Sequence, residues 1–260
     1  MTARLSVVLT AALVTSACTK EPEPFEVARI KAGEAFKKNE YAAAAADYAK
    51  SLELKPDQDL VVYDRAAFSY MKANEYDRAA EFLEKSLARR ADAAAKGETL
   101  RNIATMYLQT AHDADKAEKW FQKALELDAK DEQALSWLAE ISSQRGGARL
   151  QTAEAQPEHL KQALERYDAV IALTPNKPDP YINKRIVFIK YLEYLDRQRL
   201  SILADAEANK KDKEAYESAQ EQAKDTQTRI DELKAQLDET TKKLGEINRA
   251  AKAAKEAAGK

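Results

Sequence analysis

The side chains that could serve as nucleophiles, bases or metal ligands are few in this chain of 260 residues. The single cysteine is Cys18, and the two histidines, His112 and His159, lie far apart in the sequence. Neither histidine has a repeated acidic or cysteine partner at a spacing typical of metal sites. The sequence also lacks a glycine-rich phosphate loop and a G-x-S-x-G nucleophile motif. We therefore expect no enzymatic activity, no metal and no cofactor.

The segment before Cys18 has the features of an export signal. Arg4 precedes an apolar run over residues 5–17, which is shorter than the roughly 20 residues of a membrane-spanning helix. Residues 14–18, Val-Thr-Ser-Ala-Cys, resemble a bacterial lipobox, in which the cysteine becomes the first mature residue and carries a thioether-linked diacylglycerol. The resemblance implies a signal peptide at 1–17 and lipidation of Cys18. A plain secretory signal and an uncleaved anchor are the alternatives.

The residues that follow Cys18 predict where the protein is located in the cell. Thr19, rather than an aspartate, comes directly after the cysteine. By resemblance to Gram-negative lipoproteins, this implies sorting to the outer membrane, facing the periplasm. Residues 18–25 include Pro22 and Pro24, and we interpret them as a lipid-anchored tether of about 20 Å in a polyproline conformation. The folded part is then expected to lie close to the bilayer.

The composition predicts an all-α protein. Glycine and proline number only 6 and 7, while charged residues make up 33% of the chain, so helix formers dominate and turn residues are few. The net charge of −2, from 42 basic and 44 acidic side chains, gives no overall field that would recruit nucleic acid.

A repeated spacing fills the middle of the chain. An alanine, an aromatic residue or leucine, a small residue or valine, and a leucine or isoleucine recur at offsets of 0, 4, 7 and 8, which share one helix face. A second face with small and large apolar residues precedes the later three copies, so each unit is a helix pair. The four copies are Ala44, Tyr48, Ser51 and Leu52; Ala79, Leu83, Ser86 and Leu87; Ala117, Phe121, Ala124 and Leu125; and Ala163, Tyr167, Val170 and Ile171.

This pattern resembles the tetratricopeptide repeat. Pro56 and Pro175 stand where that family ends its second helix, and Asn39 and Asn74 stand in the inter-helix turn, which needs a residue that tolerates positive φ. The resemblance implies a helix-turn-helix superhelical solenoid of about four repeats over residues 26–179. The unit spacing lengthens toward the end, which predicts an insertion near 144–158. It is either a binding loop or a tolerated surface insertion.

The tail over residues 180–258 contains no proline after Pro180 and follows a heptad pattern. We predict a long C-terminal coiled-coil-like helix. Because the heptad phase is kept through the polar stretch near residues 207–213, one uninterrupted helix is favoured, and a helical hairpin that turns near 209–212 is the alternative. The seam also allows a weak homo-oligomer.

The resemblance places first-helix residues on the concave surface of the solenoid. Aromatic and apolar side chains with mixed charge there suit an extended peptide or an amphipathic helix. We expect a lipid-anchored envelope scaffold that binds envelope proteins and assists assembly of a complex; a role in secretin assembly is a more specific version. A membrane-anchored spacer or oligomerising coiled coil is the alternative. The predicted partner-binding residues are Arg29, Phe36, Lys37, Asp64, Phe68, Met71, Lys72, Arg101 and Gln109.

Overall fold

The computed structural model describes residues 21–147 and 156–258, and these ranges are helical without strands. The all-α prediction is confirmed. The helices are α1 (Pro24–Lys37), α2 (Tyr41–Leu54), α3 (Leu60–Lys72), α4 (Tyr76–Ser86), α5 (Ala93–Thr105), α6 (Ala114–Leu127), α7 (Glu132–Arg145), α8 (Pro157–Leu173), α9 (Pro178–Ala208) and α10 (Lys213–Ala258).

Consecutive helices pack as pairs, and each pair packs on the next to form a solenoid. The repeated alanines lie at the centre of this packing. Ala44, Ala79, Ala117 and Ala163 are each 0% exposed, as are Ala32, Ala66 and Ala104 on the facing first helices. Small residues on both sides let the helices approach closely, and buried aromatic rings such as Phe121 fill the remaining space.

The turns within the first two pairs follow the prediction. Asn39 and Asn74 have φ values of 61° and 63°, the left-handed conformation that asparagine tolerates better than most residues. His112 takes the same role in the third pair, with φ of 56°. The sequence analysis identified only Asn39 and Asn74 as turn residues of this kind.

The third pair contains one extra residue, which explains part of the uneven repeat length. Tyr107 and Ala117 are ten residues apart, whereas the equivalent Tyr70 and Ala79 are nine apart. A π-helical segment, Met106–Ala111, absorbs the extra residue at the end of α5. The backbone hydrogen bond that closes the turn runs from the N–H of Asp113 to the carbonyl of Tyr107 (2.9 Å). These residues are six apart in the sequence instead of five.

The first helix begins earlier than the sequence analysis predicted. Residues 24 and 25 were assigned to the tether, but Pro24 is the first residue of α1. Proline is favoured at this position because its ring fixes a helical φ and the missing N–H has no partner there. The backbone N–H of Glu23 donates to the carboxylate of Glu26 (3.1 Å), which completes a capping box.

The C-terminal region forms a hairpin, not the unbroken helix that the heptad phase favoured. The chain reverses between Ala208 and Lys213, and α10 packs antiparallel to α9. The turn has its own stop and start signals: the Asn209 side chain donates to the carbonyl of Asp205 (2.9 Å), and the Asp212 carboxylate accepts from the N–H of Ala215 (3.1 Å). A heptad pattern keeps its phase in either arrangement, so the phase could not distinguish an unbroken helix from a hairpin.

The heptad seam is buried within the same chain. Leu244 and Ile247 on α10 pack with Tyr181 and Ile171, and Leu233 packs against the cluster that contains Phe188. The seam that allowed a homo-oligomer in the sequence analysis is therefore covered by α8 and α9.

Two predicted features lie wholly or largely outside the described residues. The signal peptide and Cys18 precede residue 21, and residues 148–155 make up most of the predicted insertion. On either side of residues 148–155, α7 ends at Arg145 and α8 begins at Pro157. Across the two described ranges, no helix is both long and apolar enough to cross a membrane.

Candidate protein-binding surface

The first helices of the pairs carry most of the exposed large apolar side chains. Seven of the nine in the described ranges lie on α1, α3 or α9. Large groups of exposed apolar side chains on a folded protein commonly mark an interaction site, so these helices indicate a binding surface. We call this the first-helix surface. The seven are Val27, Ile30, Val61, Phe68, Ile182, Ile186 and Leu200.

An aromatic patch lies at the α1–α3 end of this surface. The ring of Phe68 is 38% exposed and its centroid is 5.7 Å from that of Phe36 and 6.0 Å from that of Tyr41. The Lys72 Nζ lies 5.4 Å from the Phe68 centroid, within the range of a cation–π contact. Three predicted residues thus come together here, and Tyr41, which the sequence analysis did not select, joins them.

A cavity of about 450 Å³ lies between α3 and α5. Its apolar walls include Phe68, Met71 and Met106, and its polar rim includes Asp64 and Glu98. This volume suits a large apolar side chain, and the flexible methionines can adapt to its shape. The Arg90 guanidinium donates to the Asp64 carboxylate (2.5 Å), which fixes one end of the rim.

A second cavity, of about 290 Å³, lies between α1 and α3, and we call it the α1–α3 groove. Arg29 and Arg65 lie on its two sides, and Tyr48 from α2 also lines it. The Tyr48 hydroxyl is buried and has no hydrogen-bond partner among the described residues. Leaving such a group unsatisfied costs about 1–3 kcal/mol, so this is an uncommon feature in a folded protein.

Arg101 is engaged in a contact that holds the solenoid together. Its guanidinium donates to one carboxylate oxygen of Asp131 (2.5 Å), and the other oxygen accepts from the N–H of Ala134 (3.0 Å) at the start of α7. The Asp131 side chain is only 6% exposed. Arg101 therefore links the third and fourth pairs and is less available to a partner than the sequence analysis expected.

The other two predicted residues are exposed and lie outside these cavities. Lys37 is the last residue of α1, and Gln109 lies in the π-helical segment at the end of α5. Among the described residues, no contact assigns either of them a role.

Sequence analysis missed the contribution of α9. The Tyr63 hydroxyl donates to the carbonyl of Pro56 (2.7 Å), and the Tyr181 hydroxyl donates in the same way to Pro175 (3.0 Å). This repeated contact puts α9 in register with α3, so Ile182 and Ile186 take the places of Asp64 and Phe68. A tyrosine six or seven residues after the proline that follows the preceding helix was the signal that could have found them.

A lysine on α9 is held against the end of α7. The Lys190 ammonium donates to the carbonyl of Ser143 (2.9 Å) and to its hydroxyl (3.2 Å). Burial lowers the pKa of Lys190, although the nearby Glu140 carboxylate acts in the opposite direction. This contact joins the fourth and fifth pairs on the first-helix side.

Solenoids of paired helices with an exposed apolar inner row form a class of protein-interaction scaffolds. Residues 58–130 match the family model described as tetratricopeptide repeat. The chain is 31% identical over 121 residues to the Photosystem I assembly protein Ycf3 of Prochlorococcus marinus, which covers 46% of this chain and 69% of the relative. This chain belongs to the tetratricopeptide repeat family.

A solved structure shows the same fold. A TPR repeats protein from Bacteroides fragilis superposes with a TM-score of 0.52 at 15% identity, over 87% of this chain and 98% of that one. The structure of YrrB, described as a TPR protein with an unusual peptide-binding site, is similar with a TM-score of 0.40 at 22% identity, over 67% of this chain and 90% of that one.

Proposed function

We propose that this protein is a non-enzymatic, lipid-anchored scaffold of the bacterial envelope that binds a protein partner and helps to assemble an envelope complex. The observation that carries the proposal is the concentration of exposed apolar side chains and two cavities on the first-helix surface. An assembly role is supported by the name of the Photosystem I assembly relative, which describes that protein's own task.

The partner segment is proposed to place a large apolar side chain in the α3–α5 cavity. Phe68, Met71 and Met106 supply the apolar contacts there, and the aromatic patch beside the cavity extends the contact area. An extended peptide and one face of an amphipathic helix both present side chains in this way.

Crosslinking in cells tests this proposal. A photo-activatable residue at Phe68 or Met71 is expected to capture a specific envelope protein, which mass spectrometry then identifies. The matched control carries the same residue at Lys252, which is exposed on α10 and far along the chain from the first-helix surface. Recovery of the same proteins from all three positions, or of no specific envelope protein, would contradict the proposal.

Membrane anchoring is proposed to depend on Cys18. Replacement of this residue in Cys18→Ala removes the acceptor for the lipid, so the protein is expected to move from the membrane fraction to the soluble periplasmic fraction. Retention of the variant in the membrane fraction would contradict lipidation as the anchor.

The alternative role of oligomerising coiled coil finds less support. The apolar seam of α10 is occupied by α8 and α9 of the same chain, so it offers no continuous stripe to another molecule.

A further inference from the structure

The last turns of α10 extend beyond the packed part of the molecule. Ile247 is the last buried residue in the described ranges, and residues 248–258 stay helical although all of them are exposed. We call these residues the α10 end. A helix of this length spans about 16 Å. Because the α10 end packs against no other described helix, packing within the chain does not explain its sequence.

Charge divides α10 into two unlike parts. Residues 213–240 carry four basic and eight acidic side chains, whereas residues 241–258 carry five basic and two acidic ones. The five basic residues are Lys242, Lys243, Arg249, Lys252 and Lys255. Cations near the C-terminus of a helix interact favourably with its dipole, but the effect falls off within the last turn, and only Lys255 lies there. Helix stability alone therefore does not account for the basic part.

The cations of the α10 end share one face. Arg249, Lys252 and Lys255 lie within an arc of about 120° around the helix axis, and alanines fill the opposite side. The Lys252 ammonium forms a long ion pair with Glu256 (3.9 Å), whereas Arg249 and Lys255 have no ion-pair partner among the described residues. Alanine offers little apolar area, so the attraction of this segment to a partner comes mainly from charge.

The α10 end leaves the solenoid at the edge where α1 begins. The first helix of a pair starts, and the second helix ends, at this edge; in the first pair, the Lys55 Nζ lies 4.6 Å from the centroid of the Phe25 ring. Since α10 is antiparallel to α9, it reaches the same edge, and Ile247 shares a buried cluster with Tyr181 near the start of α9. The proposed lipid tether precedes α1, so both chain ends leave from one edge.

We propose that the α10 end binds an anionic phospholipid surface as a second membrane contact, with Arg249, Lys252 and Lys255 facing the lipid phosphates. Cations spread along an exposed helix with no large apolar side chain suit a charged bilayer better than a protein pocket. The inference rests on the proposed function for the presence of a membrane at this edge. Because the lipid on Cys18 would already hold the protein at the bilayer, even a weak second contact would orient the solenoid.

Vesicle binding of the full chain with Cys18→Ala tests the proposal, because this protein has no lipid of its own. The probes are vesicles of phosphatidylcholine alone and of an equal mixture with phosphatidylglycerol, and bound protein is measured by sedimentation. We expect binding to the mixed vesicles, weakening as salt is added, and no binding to the neutral ones.

A triple glutamine variant tests the three cations directly. Each basic residue near an anionic surface is worth about fivefold in affinity, so the triple variant is expected to bind the mixed vesicles about 100-fold more weakly. The chain that ends after Ile247 should lose binding in the same way. The triple variant combines Arg249→Gln, Lys252→Gln and Lys255→Gln.

The matched control removes three exposed cations at the opposite end of α10, in and beside the hairpin turn. It should bind the mixed vesicles as tightly as the parent chain, because acidic side chains are interspersed there; Lys210, for example, pairs with Glu207 (2.6 Å). The control combines Lys210→Gln, Lys211→Gln and Lys213→Gln.

Equal binding to neutral and mixed vesicles, or no binding to either, would overturn the proposal. An equal loss in the triple variant and in its control would do so as well. A photo-activatable residue at Lys252 should capture phospholipid, and capture of one specific acidic protein instead would show that the α10 end binds a protein. None of these results affects crosslinking from Phe68 and Met71 or the fractionation of Cys18→Ala, so this proposal and the proposed function can fail separately.

Discussion

The Tyr48 hydroxyl is expected to destabilise the folded protein, and the packing of the ring does not require this oxygen. Its ring fills the space between α1 and α2, but its buried hydroxyl makes no hydrogen bond with a described residue. Removal of that oxygen in Tyr48→Phe keeps the ring and deletes the unsatisfied group. We expect the variant to be more stable by about 1 kcal/mol, measured by urea unfolding.

Tyr63→Phe is the matched control for this prediction. The Tyr63 hydroxyl does have a partner, the carbonyl of Pro56, at 2.7 Å. The same chemical change should therefore destabilise the protein by about 1 kcal/mol. If both variants change stability in the same direction, the Tyr48 hydroxyl does not destabilise the folded protein as a buried, unsatisfied group.

At the scale of elements, a charged cluster joins α6, α7 and α8. The Glu118 carboxylate accepts from Arg145 on α7 and from Arg166 on α8 (3.0 Å for Arg166), and its side chain is 15% exposed. Burial by itself would raise the pKa of Glu118, but the hydrogen bonds and charges of the two arginines outweigh it and lower the pKa. This cluster joins α6 to both helices of the fourth pair.

The lowered pKa of Glu118 predicts a pH-dependent contribution to stability. The folded state favours the ionised carboxylate, so the stabilisation is complete above the unfolded-state pKa of about 4.3 and is lost as the pH falls through the lower folded pKa. Glu118→Gln is expected to cost about 1–3 kcal/mol at pH 7 and progressively less below about pH 4. Thermal unfolding across this pH range measures the difference.

Glu126→Gln provides the control for this measurement. Glu126 is an exposed residue of the same helix, α6, so its replacement should change stability by less than about 0.5 kcal/mol at any pH. A Glu118→Gln effect that stays constant down to pH 3 would contradict the role assigned to the arginine pair.

At the scale of the whole molecule, α10 acts as the cap of the solenoid. Ile230, Leu244 and Ile247 are at most 9% exposed, and α10 packs along α9 and against the buried clusters of α8 and α9. Capping elements are required in such folds because the final pair would otherwise expose an apolar face.

Two truncations test the capping role. A chain that ends after Asp205 loses all of α10, and with it the burial of three large side chains worth about 1.5–3 kcal/mol each, so a lower melting temperature and aggregation are expected. A chain that ends after Ile247 removes only exposed helix, residues 248–258, and should unfold like the full chain. Light scattering should give a monomer for the full chain and for the shorter truncation. A stable dimer would restore the oligomerising alternative.

Much of the repeat architecture followed from the sequence because its causes are local. Helical periodicity of alanine and aromatic residues identified the pairs, and Asn39 and Asn74 marked turns because their own side chains tolerate positive φ. The extra residue before His112 was present in the spacing, yet its absorption as a π-helical segment depends on hydrogen bonds that a spacing does not specify.

The sequence by itself therefore determined the helix pairs, their order and the candidate first-helix surface. Only the tertiary structure decided which charged side chains of the first-helix surface are paired and whether the apolar seam of α10 is covered. Arg101 and Arg29 have equivalent sequence positions, but Arg101 pairs with Asp131, thirty residues away, whereas Arg29 has no ion-pair partner among the described residues. The seam of α10 likewise could pack against another chain or its own. Contacts between distant residues settle both questions, because the free energy of burying a charge or an apolar face depends on what lies opposite it.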